Sequence, residues 1–272
     1  MLKKIAIELG HVQKTLLLPL WGRAVETQRP EPLLIDKTAL EIINQIDYDF
    51  STLTVKLSEI SQKGWIARSL SIDQVTNCFL KKYPRATVVN LGCGLDTTFD
   101  RIDNGSVYWY DVDLPDVIEL RRKFIRENDR RKFIVGSIFE DEWFQNLHIE
   151  DNILFIAAGV LYYFKSEDVQ GVFKKIADHF PESEMIFDAS SPLGIKMANK
   201  MVIKNSGWGE QSFLNWGLSD AQNLQLWDNR IEVLEEYPMF KNMKKEFKNK
   251  FWAFISDVFK MQYIVHLKFK NI

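Results

Sequence analysis

Cysteine and histidine are scarce in this chain of 272 residues. The two cysteines are Cys78 and Cys93. Two cysteines give no disulfide framework, and they are compatible with the reducing environment of the cytoplasm. The histidines lack the spacing of metal ligands, and they are His11, His148, His179 and His266. We therefore predict a cytoplasmic protein without a metal site.

Long apolar runs and an excess of one charge are also missing. The run 16–20 is short and contains Pro19, whereas a membrane span needs about 20 apolar residues. A secretory signal is not expected, because no apolar segment with a cleavage site follows Lys3 and Lys4. The net formal charge of −2 predicts no nucleic-acid partner, and the basic runs 121–123 and 130–132 are interpreted as solvated helix faces.

The chain does contain a regular alternation of short apolar runs and amphipathic helices between residues 86 and 189. Pro115 begins one of the connecting helices, and Ser166 is expected to cap another. The predicted strands are 87–91, 107–110, 133–135, 153–158 and 185–187. Such alternation predicts a parallel sheet with helices on both faces, which binds ligands at the carboxyl ends of its strands.

The regions on either side of this alternating core have other patterns. Residues 1–84 predict a helical N-terminal cap, with a second helix from about Ser71 to Leu80. Residues 190–229 are interpreted as a lid-like insertion that contains Trp208, Trp216 and Trp227. Residues 230–272 predict a helix at 251–259 and a closing strand at 262–269, which would add a hairpin to the sheet. We predict a single domain.

Two features of the core point to a nucleoside ligand. Gly92 and Gly94 directly follow the first strand, where glycines let the backbone turn sharply and approach a ligand. Asp113 follows the next strand, where a carboxylate can accept hydrogen bonds from both ribose hydroxyls. A dinucleotide fingerprint would have a third glycine where Thr97 stands, so a nicotinamide-dependent oxidoreductase is the weaker alternative.

Several motifs in order resemble the leucine carboxyl methyltransferase family. They are Ala67-Arg68, the segment 89–99 that includes Asn90-Leu91-Gly92-Cys93-Gly94-Leu95-Asp96-Thr97, the segment 111–115, Trp143 and the segment 154–164. The resemblance covers roughly residues 20 to 190, and its start at Arg23 is similar to bacterial members. It implies a class I methyltransferase fold, an α/β Rossmann-like and mostly parallel seven-stranded sheet, with S-adenosylmethionine as cofactor. It also implies methyl transfer to an oxygen atom, as in the bacterial polyketide O-methyltransferase branch, and we expect a small-molecule acceptor.

The resemblance also implies a role for individual residues. Arg68 would bind the methionine carboxylate, and Asp113 would bind the ribose. The turn beneath the methionine moiety would be formed by Gly92, Cys93 and Gly94. Ser137 and Ile138 would lie by the adenine, and Ala158 would lie near the methionine amine. Tyr163 is the candidate catalytic residue, with a role in positioning the acceptor. Some of these residues have a structural alternative. Arg68 could be a surface arginine, and Tyr163 and its neighbour Tyr162 could be packing residues. Arg23 could attract an acidic substrate, but a surface role is the alternative that the sequence favours.

Two positions depart from the family pattern. An acid is expected where Ser137 stands and a glutamate where Ala158 stands. Each missing hydrogen bond would weaken cofactor binding by about 1–3 kcal/mol, although Glu140 or Asp141 could compensate for the first. These departures motivate the alternative of a non-catalytic S-adenosylmethionine-binding protein with a degenerate site. A carboxylate acceptor is already ionised at neutral pH and needs no general base, whereas an alcohol or phenol would need one.

Overall fold

The computed structural model describes residues 4–6, 15–50, 59–200, 213–241, 243, 246–247 and 250–271. Its strands are β1 (Ile5–Ala6), β2 (Ile46–Asp47), β3 (Thr87–Leu91), β4 (Tyr108–Asp113), β5 (Arg131–Val135), β6 (Ile153–Ala157), β7 (Glu184–Ala189), β8 (Ile231–Pro238) and β9 (Tyr263–Phe269). Its α-helices are α1 (Leu17–Thr27), α2 (Lys37–Gln45), α3 (Glu59–Lys82), α4 (Thr98–Ile102), α5 (Pro115–Arg122), α6 (Ser166–His179), α7 (Pro192–Ala198) and α8 (Lys250–Val258).

Seven of the strands form one sheet in the order β5-β4-β3-β6-β7-β9-β8. Strands β3 to β7 are parallel, β9 runs antiparallel to β7, and β8 runs antiparallel to β9. The strand order therefore reverses between β3 and β6, which is where sheets of this kind bind ligands. The predicted fold class and the added antiparallel pair are confirmed. Strands β1 and β2 form a separate parallel pair.

Strands β3 and β6, at the centre of the sheet, are mostly apolar because both faces of the sheet are covered. Successive residues of a strand point to opposite faces, and accordingly Val88 and Val89 belong to different apolar clusters. Every residue of β3 and of β6 is buried. Such strands read as continuous apolar runs, which explains why the sequence predicts β3 without error and β6 to within one residue.

Helix α3 is longer than predicted. It begins at Glu59, so Arg68 lies in its middle instead of before its start. Residues 63–69 are all buried, and they include the polar Lys63, Arg68 and Ser69. A helix that is surrounded on several sides has no amphipathic period, and the sequence pattern therefore reveals only its second half. Helix α6 also differs slightly, because it begins at Ser166 itself and the prediction that Ser166 caps it is wrong.

Three arginines that the sequence places on the surface are buried. Arg121 is 0% exposed and Arg131 is 2% exposed, so the interpretation of both basic runs as solvated faces is wrong at these positions. Arg23 is also buried and donates from Nε to Asp36, at 2.8 Å. All three bind carboxylates, which is the condition under which arginine is tolerated in a protein interior.

The described part of the 190–229 region belongs largely to the core. Trp216, Leu218, Ala221 and Leu224 join the apolar cluster that covers one face of the sheet. Residues 201–212, with Trp208, lie outside the described residues. The backbone N–H groups of Asn215 and Trp216 both donate to the carbonyl of residue 162, at 2.6 and 3.1 Å. This region therefore fixes the backbone that follows β6.

Asp36 connects the N-terminal helices to the segment that follows β3. Its Oδ2 accepts hydrogen bonds from Arg23 Nε and Arg101 Nη1, both at 2.8 Å, and from the hydroxyl of Thr97. Its Oδ1 accepts from the N–H of Ala39 at 2.9 Å and so caps α2. The side chain is 1% exposed, so its charge and those of the two arginines compensate one another in the interior.

We expect Asp36→Asn to lower the free energy of unfolding by about 3–5 kcal/mol, because it leaves buried guanidinium groups without their carboxylate. Urea denaturation followed by circular dichroism measures this. The control is Arg122→Gln, which removes an exposed ion pair with Glu127 and should change stability by less than about 1 kcal/mol. Equal effects of the two variants would contradict the role of Asp36.

Candidate active site

A cavity of about 1010 Å³ opens at the carboxyl ends of the central strands. It is lined by all nine residues that the sequence and the family resemblance single out: Arg68, Gly92, Cys93, Gly94, Asp113, Ser137, Ile138, Ala158 and Tyr163. Pockets for one small ligand measure about 300–1,000 Å³. The structure thus brings the candidate residues together in one cavity at the upper end of this range.

The glycine turn after β3 has the backbone conformation that only glycine adopts at little cost. Gly92 has φ +60° and Gly94 has φ +50°. A Cβ atom at Gly92 would lie 2.6 Å from a methyl carbon of Val160, well inside van der Waals contact. Between them, the thiol of Cys93 is buried, and burial raises its pKa well above the usual value. Only the backbone of Cys93 is therefore suited to binding a ligand.

Asp113 ties the end of β4 to this turn. Its Oδ2 accepts a hydrogen bond from the N–H of Gly94 at 2.7 Å, and its Oδ1 accepts from the N–H of Leu114 at 2.8 Å. Burial raises the pKa of the carboxyl, and the two N–H groups partly offset this rise. A carboxylate has about four acceptor sites, so Asp113 keeps capacity for a further donor from the cavity.

A buried network beneath the turn was missed by sequence reasoning. Asp111 Oδ2 accepts from Arg121 Nη2 at 2.8 Å and from Arg131 Nε at 3.0 Å, and its Oδ1 accepts from Asn90 Nδ2 at 3.1 Å. Arg121 Nη1 in turn donates to the carbonyl of Gly94, at 2.8 Å. The signal in the sequence was the spacing of Asp111 and Asp113 on β4. Residues two apart on a strand point to the same face, so both acids lie on the same side of the sheet.

Arg68 is held at the cavity by a second missed carboxylate, Asp188 at the end of β7. Arg68 Nη1 donates to Asp188 Oδ2 at 2.9 Å, and Asp188 Oδ1 accepts from the N–H of Gly159 at 2.6 Å. Burial opposes the charge of Arg68, but Asp188 and Tyr162 outweigh it and raise its pKa. The alternative that Arg68 is a surface arginine is therefore wrong. An acid directly after the apolar run 185–187 was the signal for Asp188.

Asp96 is a further cavity-lining acid that sequence reasoning did not assign. Its carboxylate accepts from Asn90 Nδ2 at 3.2 Å and from the backbone N–H and the hydroxyl of Thr98, at 3.0 and 3.1 Å. Burial alone would raise its pKa, but the cations of Arg23 and Arg101 and the N–H of Thr98 lower it to about 2. Asp96 therefore carries a negative charge at the cavity wall at neutral pH.

The loop after β5 forms another wall of the cavity. Ser137 Oγ accepts from the N–H of Phe139 at 3.2 Å, and Trp143 Nε1 donates to the carbonyl of Ser137 at 3.0 Å. Glu140 Oε2 accepts from the N–H of Ser137, at 3.2 Å, whereas Asp141 pairs with a lysine. Of the two acids that could compensate for Ser137, Glu140 is thus the one with a direct contact to it.

The remaining wall is apolar and aromatic. Tyr163 lies here, and its hydroxyl donates to Thr15 Oγ1 at 2.9 Å. Helices α3, α7 and α8 contribute most of the other side chains on this wall, including Trp65, Leu193, Met197, Trp252 and Phe259. Within the described residues, the charged side chains that line the whole cavity are Arg23, Glu59, Arg68, Asp96 and Asp113.

The part of the chain that the structure describes contains neither a candidate metal site nor a candidate membrane span. No group of three or more His, Cys, Asp or Glu side chains there is arranged to hold a metal ion. No described helix has the length and apolar character needed to cross a bilayer.

The strand order and the position of the cavity define a class I methyltransferase fold. A solved structure from Thermobifida fusca YX, assigned as a methyltransferase, is similar with a TM-score of 0.60, at 12% sequence identity over 92% of this chain and 94% of that one. At this identity the likeness concerns the fold alone.

The chain belongs to the leucine carboxyl methyltransferase family, whose model matches residues 17–177. It is 32% identical to the tetracenomycin polyketide synthesis O-methyltransferase TcmP of Streptomyces glaucescens, over 86% of this chain and 85% of the relative. It is 26% identical to the S-adenosyl-L-methionine-dependent methyltransferase dpfgK of Gibberella zeae, over 89% of each chain. The prediction of an S-adenosylmethionine-dependent methyltransferase is confirmed.

We expect Gly92→Ala to weaken binding of S-adenosylhomocysteine at least about tenfold, because the new methyl group moves either the turn or Val160. Isothermal titration calorimetry measures the affinity. The control is Gly105→Ala, which has φ +81° but nothing within 4 Å of its Cβ position. This control should lose stability without losing affinity.

Adding Val160→Ala to Gly92→Ala removes the methyl groups that the new Cβ would meet, and we expect it to restore part of the affinity. An unchanged affinity in the single Gly92→Ala variant would show that the close approach of the turn and Val160 is not needed for binding.

Proposed function

We propose that this enzyme transfers the methyl group of S-adenosylmethionine to an oxygen atom of an apolar, ring-containing small molecule, either a carboxylate or a hydroxyl. The observation that carries the proposal is the continuity of one cavity, which extends from the glycine turn to the aromatic wall of α7 and α8. The name of one relative, an O-methyltransferase of polyketide synthesis, supports an oxygen atom of a small molecule as the acceptor.

The residues at the turn fit an adenosine-bearing amino acid. The close approach of backbone at Gly92 leaves no room for a side chain, and Asp113 keeps acceptor capacity for ribose hydroxyls. Arg68 lines the cavity, and the hydrogen bonds among the described residues use neither its Nε nor its Nη2. A guanidinium with two adjacent free donors is suited to a carboxylate. We assign these three residues to the turn, the ribose and the methionine carboxylate.

The other assignments follow from position along the cavity. Ser137 and Ile138 are assigned to the adenine, with Glu140 as the acid next to them. Ala158 is assigned to the surroundings of the methionine amine, to which its side chain offers no hydrogen bond. Asp96 is one of three described acids that line the cavity, with Glu59 and Asp113, and its negative charge is suited to balance a cationic ligand there.

The proposed mechanism rests on position and on exclusion of water. S-adenosylmethionine supplies a methyl group that is already activated by the positive charge of its sulfonium. The protein has to hold the acceptor oxygen in line with that methyl group, and such positioning contributes up to about 7–11 kcal/mol to catalysis. Tyr163 is suited to orient the acceptor, because its hydroxyl is itself fixed by Thr15. Burial raises the pKa of Tyr163, so it stays neutral and is not a base. A carboxylate acceptor is already ionised and needs no base, whereas a hydroxyl acceptor has to lose its proton to water.

We also propose that the enzyme works in the cytoplasm. Both cysteines are free thiols, Cys78 exposed and Cys93 buried, which is the usual state in a reducing compartment.

The test is incubation with methyl-labelled S-adenosylmethionine and a panel of ring-containing carboxylic acids and phenols. We expect labelled methyl ester or ether together with stoichiometric S-adenosylhomocysteine. A panel of small hydrophilic acids serves as the control and should remain unlabelled. Calorimetric binding of the donor without transfer to any acceptor would favour the non-catalytic alternative.

We expect Tyr163→Phe to raise the KM for the acceptor about tenfold, because the acceptor loses one fixed polar partner. The dissociation constant for S-adenosylhomocysteine should stay within about twofold, since the hydroxyl is bound to Thr15 and not to the residues assigned to the donor. Steady-state kinetics and calorimetry on the same preparation separate the two effects. Loss of donor affinity would contradict the assignment of Tyr163 to the acceptor side.

A further inference from the structure

Tyr162 lies next to the candidate catalytic Tyr163, but its hydroxyl contacts Arg68 whereas that of Tyr163 contacts Thr15. Its hydroxyl oxygen accepts a hydrogen bond from Arg68 Nη1 at 3.2 Å, and the same nitrogen donates to Asp188 Oδ2 at 2.9 Å. Arginine has donors and no acceptor. The hydroxyl proton of Tyr162 therefore takes no part in the bond to Arg68 and remains available for another acceptor.

The described residues do not use this proton. None of the hydrogen bonds among them has the Tyr162 hydroxyl as its donor, although the side chain is only 9% exposed. Asp188 Oδ2 accepts from Arg68 and Oδ1 accepts from the N–H of Gly159, and neither oxygen accepts from the Tyr162 hydroxyl. Burial and the charge of Asp188 raise the pKa of Tyr162, so the proton is retained at neutral pH. Tyr162 also lines the cavity.

We propose that the Tyr162 hydroxyl and the remaining N–H groups of Arg68 together bind the methionine carboxylate of the methyl donor, and that Asp188 is the residue that positions them. This inference rests on the proposed function, in particular on the assignment of Arg68. It adds a second donor to the carboxylate and a carboxylate behind the arginine, neither of which the sequence analysis assigned.

A consequence concerns which part of the donor the enzyme recognises. Ala158 offers nothing to the methionine amine, whereas a neutral donor and a cation converge on the carboxylate. Hydrogen bonds between neutral and charged groups are among the stronger ones in proteins. Recognition of the amino-acid end therefore depends mainly on its carboxylate and only weakly on its ammonium group.

Calorimetry with four ligands tests this division. The ligands are S-adenosylhomocysteine, its decarboxylated form, its deaminated form and methylthioadenosine, which lacks the amino-acid end. We expect deamination to weaken binding to the unmodified protein by less than about fivefold, and decarboxylation to weaken it by about a hundredfold. The reverse order would overturn the proposal.

The variant that isolates the hydroxyl is Tyr162→Phe. We expect it to weaken binding of S-adenosylhomocysteine and of the deaminated form about tenfold, while the decarboxylated form and methylthioadenosine change by less than about twofold. The matched control is Tyr108→Phe, which removes a hydroxyl that donates to Glu150 outside the cavity lining and should change none of the four affinities by more than about twofold. An equal loss for all four ligands in Tyr162→Phe would show a packing role and overturn the proposal.

Asp188→Asn tests the positioning role. Because the amide cannot hold Arg68 as an ion pair, we expect the ratio of affinities for the deaminated and decarboxylated forms to fall at least about tenfold. General destabilisation would leave this ratio unchanged, and that result would contradict a positioning role. If no ligand bound the unmodified protein, the proposed function itself would fail. If S-adenosylhomocysteine bound, but the ratio of affinities for the deaminated and decarboxylated forms stayed unchanged in Tyr162→Phe and in Asp188→Asn, only this inference would fail.

Discussion

The ion pair between Asp111 and Arg121 is the interaction on which the site depends most. Both side chains are fully buried, and Arg121 also donates to the carbonyl of Gly94. Removing one partner of a buried pair costs about 3–5 kcal/mol, because the other charge remains without compensation. Asp111 on β4 thus holds Arg121, and Arg121 in turn holds the carbonyl of Gly94 in the glycine turn. The turn is rigid because its carbonyl is bound from below and its N–H is bound by Asp113.

A second layer of the same kind joins the N-terminal helices to this turn. Asp36 binds Arg23 and Arg101, and Arg101 also binds Asp73 on α3. Because α3 carries Arg68 as well, this helix is fixed by charges at two places, through Asp73 and through Asp188. The cap of helices and the sheet are therefore joined by polar contacts, in addition to the apolar packing between them.

The sequence predicts the centre of this molecule well and its polar interior poorly. Strand β3, the glycine turn and Asp113 are local features that lie within about 27 residues of one another. The sequence shows them as an apolar run, two glycines and an acid that follows the next strand. The partners of Arg68 are not local, since Tyr162 and Asp188 lie 94 and 120 residues away in the chain. A sequence does not distinguish a buried arginine from an exposed one. For this reason it predicts solvated faces for the runs that contain Arg121 and Arg131, although both side chains are buried.

The two thiols of the protein differ in a way that bears on its chemistry under oxidative stress. The thiolate is the reactive form of cysteine, and burial keeps Cys93 in the protonated form. Cys93 therefore stands in the middle of the glycine turn without making the turn sensitive to peroxides or alkylating reagents. Cys78 lies on the outer surface of α3 and is accessible to the same reagents. Oxidants should accordingly modify the enzyme at a site remote from the turn while methyl-donor binding persists.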